Sequence, residues 1–270
     1  MKKTASIGMI AAALGFSGVA AENNQTPPAR PVPTLVAVSS GKGAAAMSHA
    51  VEANAYLFAF FYEKDDDATR AARKTFDEAV KKITPAAQSV AVDRTAPEEK
   101  EFVAKFGIER TPMPFALAFA PNGAVTGGFK GEDVTEERLR DAVAGPGLQQ
   151  CLKALQARRL VLVCLQNGRT QANDAAMKGV NEFKADPKYG GLTDIVKVDP
   201  SDAKEAKLLA QLQADPQAKE AFTALLAPPG VMVAKVSGPT TKDALMASLQ
   251  KATSSCAPGA GSGCCPPAKK

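Results

Sequence analysis

The chain has 270 residues, with 33 Lys and Arg against 28 Asp and Glu and a formal charge of +5. Trp is absent, Tyr occurs three times, and charges of both signs are interspersed along the sequence. A nucleic-acid binder needs a denser basic stripe with aromatic platforms between the cations, so the composition argues against that class.

The N-terminus sets the expected compartment. Lys2 and Lys3 precede an apolar stretch from Ile7 to Ala20, and Val19-Ala20-Ala21 ends it with small or compact residues. This is the pattern of a secretory signal peptide cleaved after Ala21. The stretch is too short to span a bilayer, and no later segment reaches the ~20 apolar residues of a membrane helix. The expected location is periplasmic or secreted, with no membrane anchor after cleavage. Residues 22–33, ENNQTPPARPVP, read as a polar, Pro-rich linker.

Strand-like and helix-like segments alternate from there. Thr34–Ser40 reads as a strand and Ala44–Ala53 as a helix, and Tyr56–Tyr62 (YLFAFFY) is the near-continuous apolar run of a strand buried on both faces. Ala68, Ala71, Ala72, Phe76, Ala79, Val80 and Ile83 recur at helical spacing. Ser89–Asp93 is a third strand, and a short helix carrying Phe102, Val103 and Phe106 follows it. A hairpin turns at Pro121-Asn122-Gly123, and a last helix opens at Asp133 or Thr135 and stops at Gly145-Pro146.

The second half repeats this order. A helix around Cys151 leads to a buried strand at Leu160–Gln166, then to a helical face of Ala172, Ala175, Ala176, Val180 and Phe183. Asp194–Asp199 is the next strand, Glu205–Asp215 a helix and Phe222–Gly238 a hairpin, with Thr240 and Asp243 capping the final helix. Phe115, Ala120, Pro121, Gly123 and Gly131 match Phe222, Ala227, Pro228, Gly230 and Gly238, each pair 107 positions apart, and Asp93 and Asp199 keep nearly that offset. Two copies of one unit explain this most economically. The expected organisation is a first domain at 34–146, a second, degenerate one at 147–252 and a Cys/Gly/Pro tail at 253–270.

The segment KFGIERTPMPFALAFAPNGAVTGGFKG resembles the thioredoxin family, in which an aromatic-Gly-Ile leads to a Pro-preceded strand, a turn and a final strand. Phe106-Gly107-Ile108 and Pro112 take the matching positions. The resemblance implies two tandem α/β domains, each a central mixed sheet flanked by helices. It also implies a cis bond before Pro112 and a backbone at Thr111 that pairs with bound extended peptide; Pro114 is a rival for the same role. Thr111, Pro112 and Met113 are then the expected peptide-binding residues, and a polypeptide or partner protein the expected partner. At Pro112 plus 107 the second half has Lys219, which puts its groove in doubt. The family's CxxC position reads Lys64-Asp65-Asp66-Asp67-Ala68 in one half and Gly168-Arg169-Thr170-Gln171-Ala172 in the other. Thiol–disulfide exchange needs an attacking thiolate and a resolving partner, so no redox site is expected at either place. The chain resembles in this the non-catalytic domains of protein disulfide isomerases, which hold polypeptides.

Other candidates for chemistry are few. Asp65-Asp66-Asp67 reads as a solvated helix start, because calcium loops use spaced ligands and a glycine. His49 is the only His, so nucleophile–His catalysis has little to be built from. Cys164 reads as a small hydrophobe in an apolar strand, and a disulfide to Cys151 stays open. Cys256, Cys264 and Cys265 sit together in the tail, where they suit Cu(I) or Zn(II), or thiol–disulfide exchange. Two functions therefore stand side by side: a redox-inactive binding module or scaffold, and a thiol-based activity carried by the tail.

Overall fold

A computed structural model describes residues 41–83 and 87–254. The expected signal peptide, linker, first strand and thiol-bearing tail lie outside the described residues. Among the described residues no helix is long and apolar enough to cross a membrane.

The first half runs α1 (Lys42–Glu52), β1 (Tyr56–Tyr62), α2 (Asp67–Val80), β2 (Ala87–Asp93), α3 (Lys100–Lys105), β3 (Phe115–Phe119), β4 (Val125–Lys130) and α4 (Glu136–Asp141). Its sheet has the order β2-β1-β3-β4, with β1 and β2 parallel and the other two pairings antiparallel. Alternation along β1 sends Tyr56, Phe58 and Phe60 to the face covered by α2 and α4, where Phe76 and Leu139 lie. Leu57, Ala59 and Phe61 face Ala50 of α1 and Phe102 and Val103 of α3. Covering on both sides is why β1 reads as an unbroken apolar run rather than an alternating one.

The second half follows the same order: α5 (Pro146–Gln156), β5 (Leu160–Leu165), α6 (Asn173–Lys184), β6 (Thr193–Val198), α7 (Ala206–Leu212), β7 (Phe222–Ala227), β8 (Val231–Ser237) and α8 (Lys242–Ser254). The sheet is β6-β5-β7-β8 with the same strand senses. Val161, Val163 and Leu165 face α5 and α7, and Leu162 and Cys164 face α6 and α8.

The repeat reaches into backbone detail. A register shift falls between Ala118 and Phe119 in one hairpin and between Leu225 and Leu226 in the other. The N–H of Gly131 donates to the Pro114 carbonyl at 2.9 Å, and that of Gly238 donates to the Ala221 carbonyl at 2.7 Å. Asp93 accepts from the N–H and hydroxyl of Thr95, and Asp199 accepts in the same way from Ser201. Glu99 and Glu205 are both buried, and each takes an N–H from the first turn of its half's opening helix, Gly43 for one and Gly147 for the other.

The halves meet along the segment that links them. The Tyr56 hydroxyl donates to the Ala144 carbonyl at 2.6 Å and accepts from the Ala144 N–H at 2.8 Å and the Gln149 amide at 2.9 Å. Leu152 of α5 packs on apolar clusters of both halves, and the Gln156 side chain bonds the N–H and carbonyl of Val125 in β4. One expected cap moves by a residue. Thr241, not Thr240, accepts from the Ala244 N–H, whereas Thr240 is buried with its hydroxyl 3.1 Å from that of Thr223. The Thr240 carbonyl also lies close against Gly179 of α6.

Candidate functional site

The N-terminus of α2 and the segment before β3 face each other across a cavity of about 570 Å³. Glu63, Asp66, Thr69, Arg94, Met113 and Pro114 are among its lining residues. Asp66 is the cap of α2: its carboxylate accepts from the Thr69 N–H at 2.8 Å, and the hydrogen bonds from Thr69 hold it below the usual carboxylate range. Asp67 pairs with Arg70 at 2.6 Å. The acidic triplet is therefore spent on starting the helix, where negative charge suits the free N–H groups.

Pro112 is not the cis proline; the cis bond is Met113–Pro114. Register explains the shift. β3 opens at Phe115, and it is the carbonyl of the residue just before it, Pro114, that the β4 exit glycine Gly131 binds. The second-half counterpart of that position is consequently Ala221, not Lys219. Pro112 and Met113 line the cavity, but Thr111 does not. The Thr111 carbonyl is taken up instead by Arg94, at 2.7 Å.

Arg94 was not legible as a site residue. Its guanidinium pairs with Glu63 at the end of β1 and reaches the carbonyls of Glu109 (3.3 Å) and Thr111. It thus fixes the loop that presents Met113 from the ends of β1 and β2. Among the described residues the Met113 N–H and carbonyl have no hydrogen-bond partner.

In the second half the same place is occupied by the chain itself. Gln171 forms a parallel bridge with Glu220: its N–H donates to the Lys219 carbonyl at 2.8 Å, and its carbonyl accepts from the Ala221 N–H at 2.9 Å. Loop length makes this reach available. Strand register matches Phe61 with Leu165, because they oppose Phe115 and Phe222. From the residue after each, Tyr62 and Gln166, the loop to the helix is 63–66 in one half and the longer 167–172 in the other. A network of Asn167, Thr170 and Asn173 holds the longer loop folded over the groove.

The two described thiols are free and buried, Cys151 on the α5 side of the second sheet and Cys164 on the α6 side. The sheet between them excludes the disulfide left open by the sequence. Burial pushes both thiols up to about 12, with the Glu205 carboxylate adding to the effect at Cys151. Neither is a nucleophile near neutral pH. Alkylation of the native protein at pH 8 should therefore leave both unmodified, and intact mass should show at most three of the five thiols capped. The unfolded chain loses these protons near the ordinary thiol value of 9.0 while the folded chain keeps them. Stability should then fall as pH rises above about 9, by about 1.4 kcal/mol per pH unit for each thiol. A urea midpoint that held constant from about pH 8.5 to 10.5 would contradict this.

His49 lies exposed on α1, its Nδ1 3.0 Å from the Gln88 side-chain oxygen. Among the described residues no three His, Cys, Asp or Glu side chains converge as a metal site needs. Cys256, Cys264 and Cys265 lie outside the described residues.

Each half thus has one parallel and two antiparallel pairings in the order 2-1-3-4, helices on both faces, and a groove where a helix N-terminus meets the start of the third strand. Both halves have the thioredoxin-like fold. No family model matches the chain, and no curated protein matches it. Among solved structures it is similar to the first two thioredoxin domains of Saccharomyces cerevisiae Eps1p, at 12% identity over 78% of this chain and 92% of that one, with a TM-score of 0.29. The same two domains of Naumovozyma dairenensis Eps1p give 9% identity over 84% and 98% of the two chains, with a TM-score of 0.29. Human ERp44 gives 11% over 77% and 55%, with a TM-score of 0.31.

Proposed function

We propose that the protein is an exported, redox-inactive binding module whose first domain holds extended polypeptide in the groove between α2 and Met113. The observation that carries this reading is the contrast between the halves. In the second, a segment of the chain, Gln171, pairs with the backbone just before β7; in the first, the corresponding backbone is unpartnered and borders a cavity. The second half thereby supplies an internal example of a single residue bridged to the backbone at this place. Pro114 has no N–H to match the one Ala221 donates, so a ligand in the first groove pairs with the N–H and carbonyl of Met113 itself, by strand addition. Arg94 acts as a positioning residue that keeps this backbone presented.

Titration of the protein with an unfolded, extended peptide should shift the amide signals of Met113, Phe115 and Thr69 and leave Glu220 and Ala221 in place. Met113→Pro removes the donor and should weaken binding about 10-fold, the order of one hydrogen bond in a partly dry site. Arg94→Ala should weaken it in the same direction while Gly191→Ala leaves it unchanged. Unmoved Met113 signals at saturating peptide would end this reading. The thiol-based alternative now rests on Cys256, Cys264 and Cys265 alone, since Cys151 and Cys164 are buried. Metal content and disulfide reductase activity that survive removal of residues 255–270 would exclude it.

A further inference from the structure

A second cavity, of about 490 Å³, opens where the two halves join, remote in the fold from the peptide groove. Pro121, Val143 and Pro146 form its apolar lining, with the buried Tyr56 behind them. The Tyr56 hydroxyl is fully engaged with Ala144 and Gln149, so this residue backs the cavity and offers it no spare polar atom. Asn54 and Lys204 are exposed at the opening, and neither side chain has a hydrogen-bond or ionic partner among the described residues. Lys204 comes from the second half and is the only charged residue in the lining.

Size, lining and charge together select a ligand class. The volume falls in the range of small-molecule sites, roughly 300–1,000 Å³, which occur preferentially at domain junctions. Apolar walls reward a flat or branched hydrocarbon body at roughly 25 cal/mol per Å² removed from water. A single cation without a partner at the rim adds one anion-binding point; the nearby Glu205 carboxylate is buried behind Gly145, with one oxygen on the Gly147 N–H. We propose that this junction cavity binds a small amphipathic carboxylate, with its aromatic or branched aliphatic body against Pro121, Val143 and Pro146 and its carboxylate on Lys204. Such a ligand touches both halves at once, so occupancy raises the stability of their junction.

The test uses the full-length mature protein with 2-naphthoate as the anionic probe and 2-naphthalenemethanol as its neutral counterpart. Naphthoate should bind saturably at one site and shift the amides of Asn54, Tyr56, Ala144 and Gln149. Lys204→Glu should weaken naphthoate about 10-fold and change naphthalenemethanol by less than about 2-fold, a gap of about 1.4 kcal/mol between the probes. Val143→Phe fills the cavity and should abolish binding of both, with a urea midpoint near that of the parent confirming that it folds. The proposal is overturned by absence of saturable binding up to about 1 mM, by equal effects of Lys204→Glu on both probes, or by shifts confined to Met113 and Thr69. This last outcome assigns the probe to the peptide groove, so the two sites fail independently.

Discussion

Phe60→Ala is expected to destabilise the first half by about 3–5 kcal/mol, the largest loss of any single truncation in that half. Phe60 is 1% exposed at the middle of β1, the strand that pairs on both sides, and its ring lies 5.4 Å from that of Phe76 at an angle of 44°. Removing it deletes a large buried apolar surface and leaves a void beneath α2 that the sheet cannot collapse to fill. The second half provides the comparison. Cys164 holds the same strand position, since Phe60 opposes Ala116 and Cys164 opposes Thr223, 107 positions later. A thiol fills far less space, so Cys164→Ala should cost only about 1 kcal/mol. Because the chain has two domains, the losses are best read from amide signals of each half followed separately through urea unfolding. Equal losses for the two variants would mean that the α2 face of the first sheet is not close-packed.

The sequence made most of the architecture legible because the fold is written in local periodicity. The 107-residue offset read from the hairpin residues also holds for backbone features that the sequence did not announce, the paired register shifts and the two exit-glycine bonds. The YLFAFFY run was readable as doubly buried for the same reason. What stayed hidden were contacts made across long separations by residues that look ordinary in isolation. Glu99 and Glu205 stand at helix starts, where a carboxylate is expected to face water. Their burial becomes evident only once Gly43 and Gly147, 56 and 58 positions earlier, are folded against them. Tyr56 reads as a core aromatic, and nothing local announces that its hydroxyl ties down Ala144, 88 positions on. In the site itself, two prolines in TPMP fitted one role, and choosing between them needed the register of β3 against β4. Gln171 carried no signal at all, because occupation of a groove depends on loop length relative to strand register. That quantity appears only after both sheets are aligned. The charge at the junction cavity was equally silent, since Lys204 is one of many interspersed lysines until Pro121 and Val143 are brought beside it.

Gly179→Ala is expected to cost about 3 kcal/mol, although it replaces a poor helix former by the best one. In the middle of a helix that exchange favours Ala by roughly 1 kcal/mol, and it reduces the freedom of the unfolded chain as well. Close approach reverses the sign. A Cβ at position 179 would lie 2.0 Å from the Thr240 carbonyl oxygen and 2.5 Å from its carbonyl carbon. Both are backbone atoms at the entrance to α8, so no side-chain rotation relieves the contact. Either α6 lifts from Val180 and Phe183 outward, or the segment at Thr240 moves and breaks its contact with Thr223. Both routes loosen the packing of α6 on α8 over Leu245 and Leu249, and overpacking of this kind outweighs a propensity gain of about 1 kcal/mol. Gly191→Ala is the matched control: a Cβ there meets nothing within 4 Å, and stability should stay within about 0.5 kcal/mol of the parent. Urea unfolding of the two variants side by side decides the matter. A Gly179→Ala protein as stable as the Gly191→Ala protein would show that α6 and the start of α8 do not touch at backbone distance.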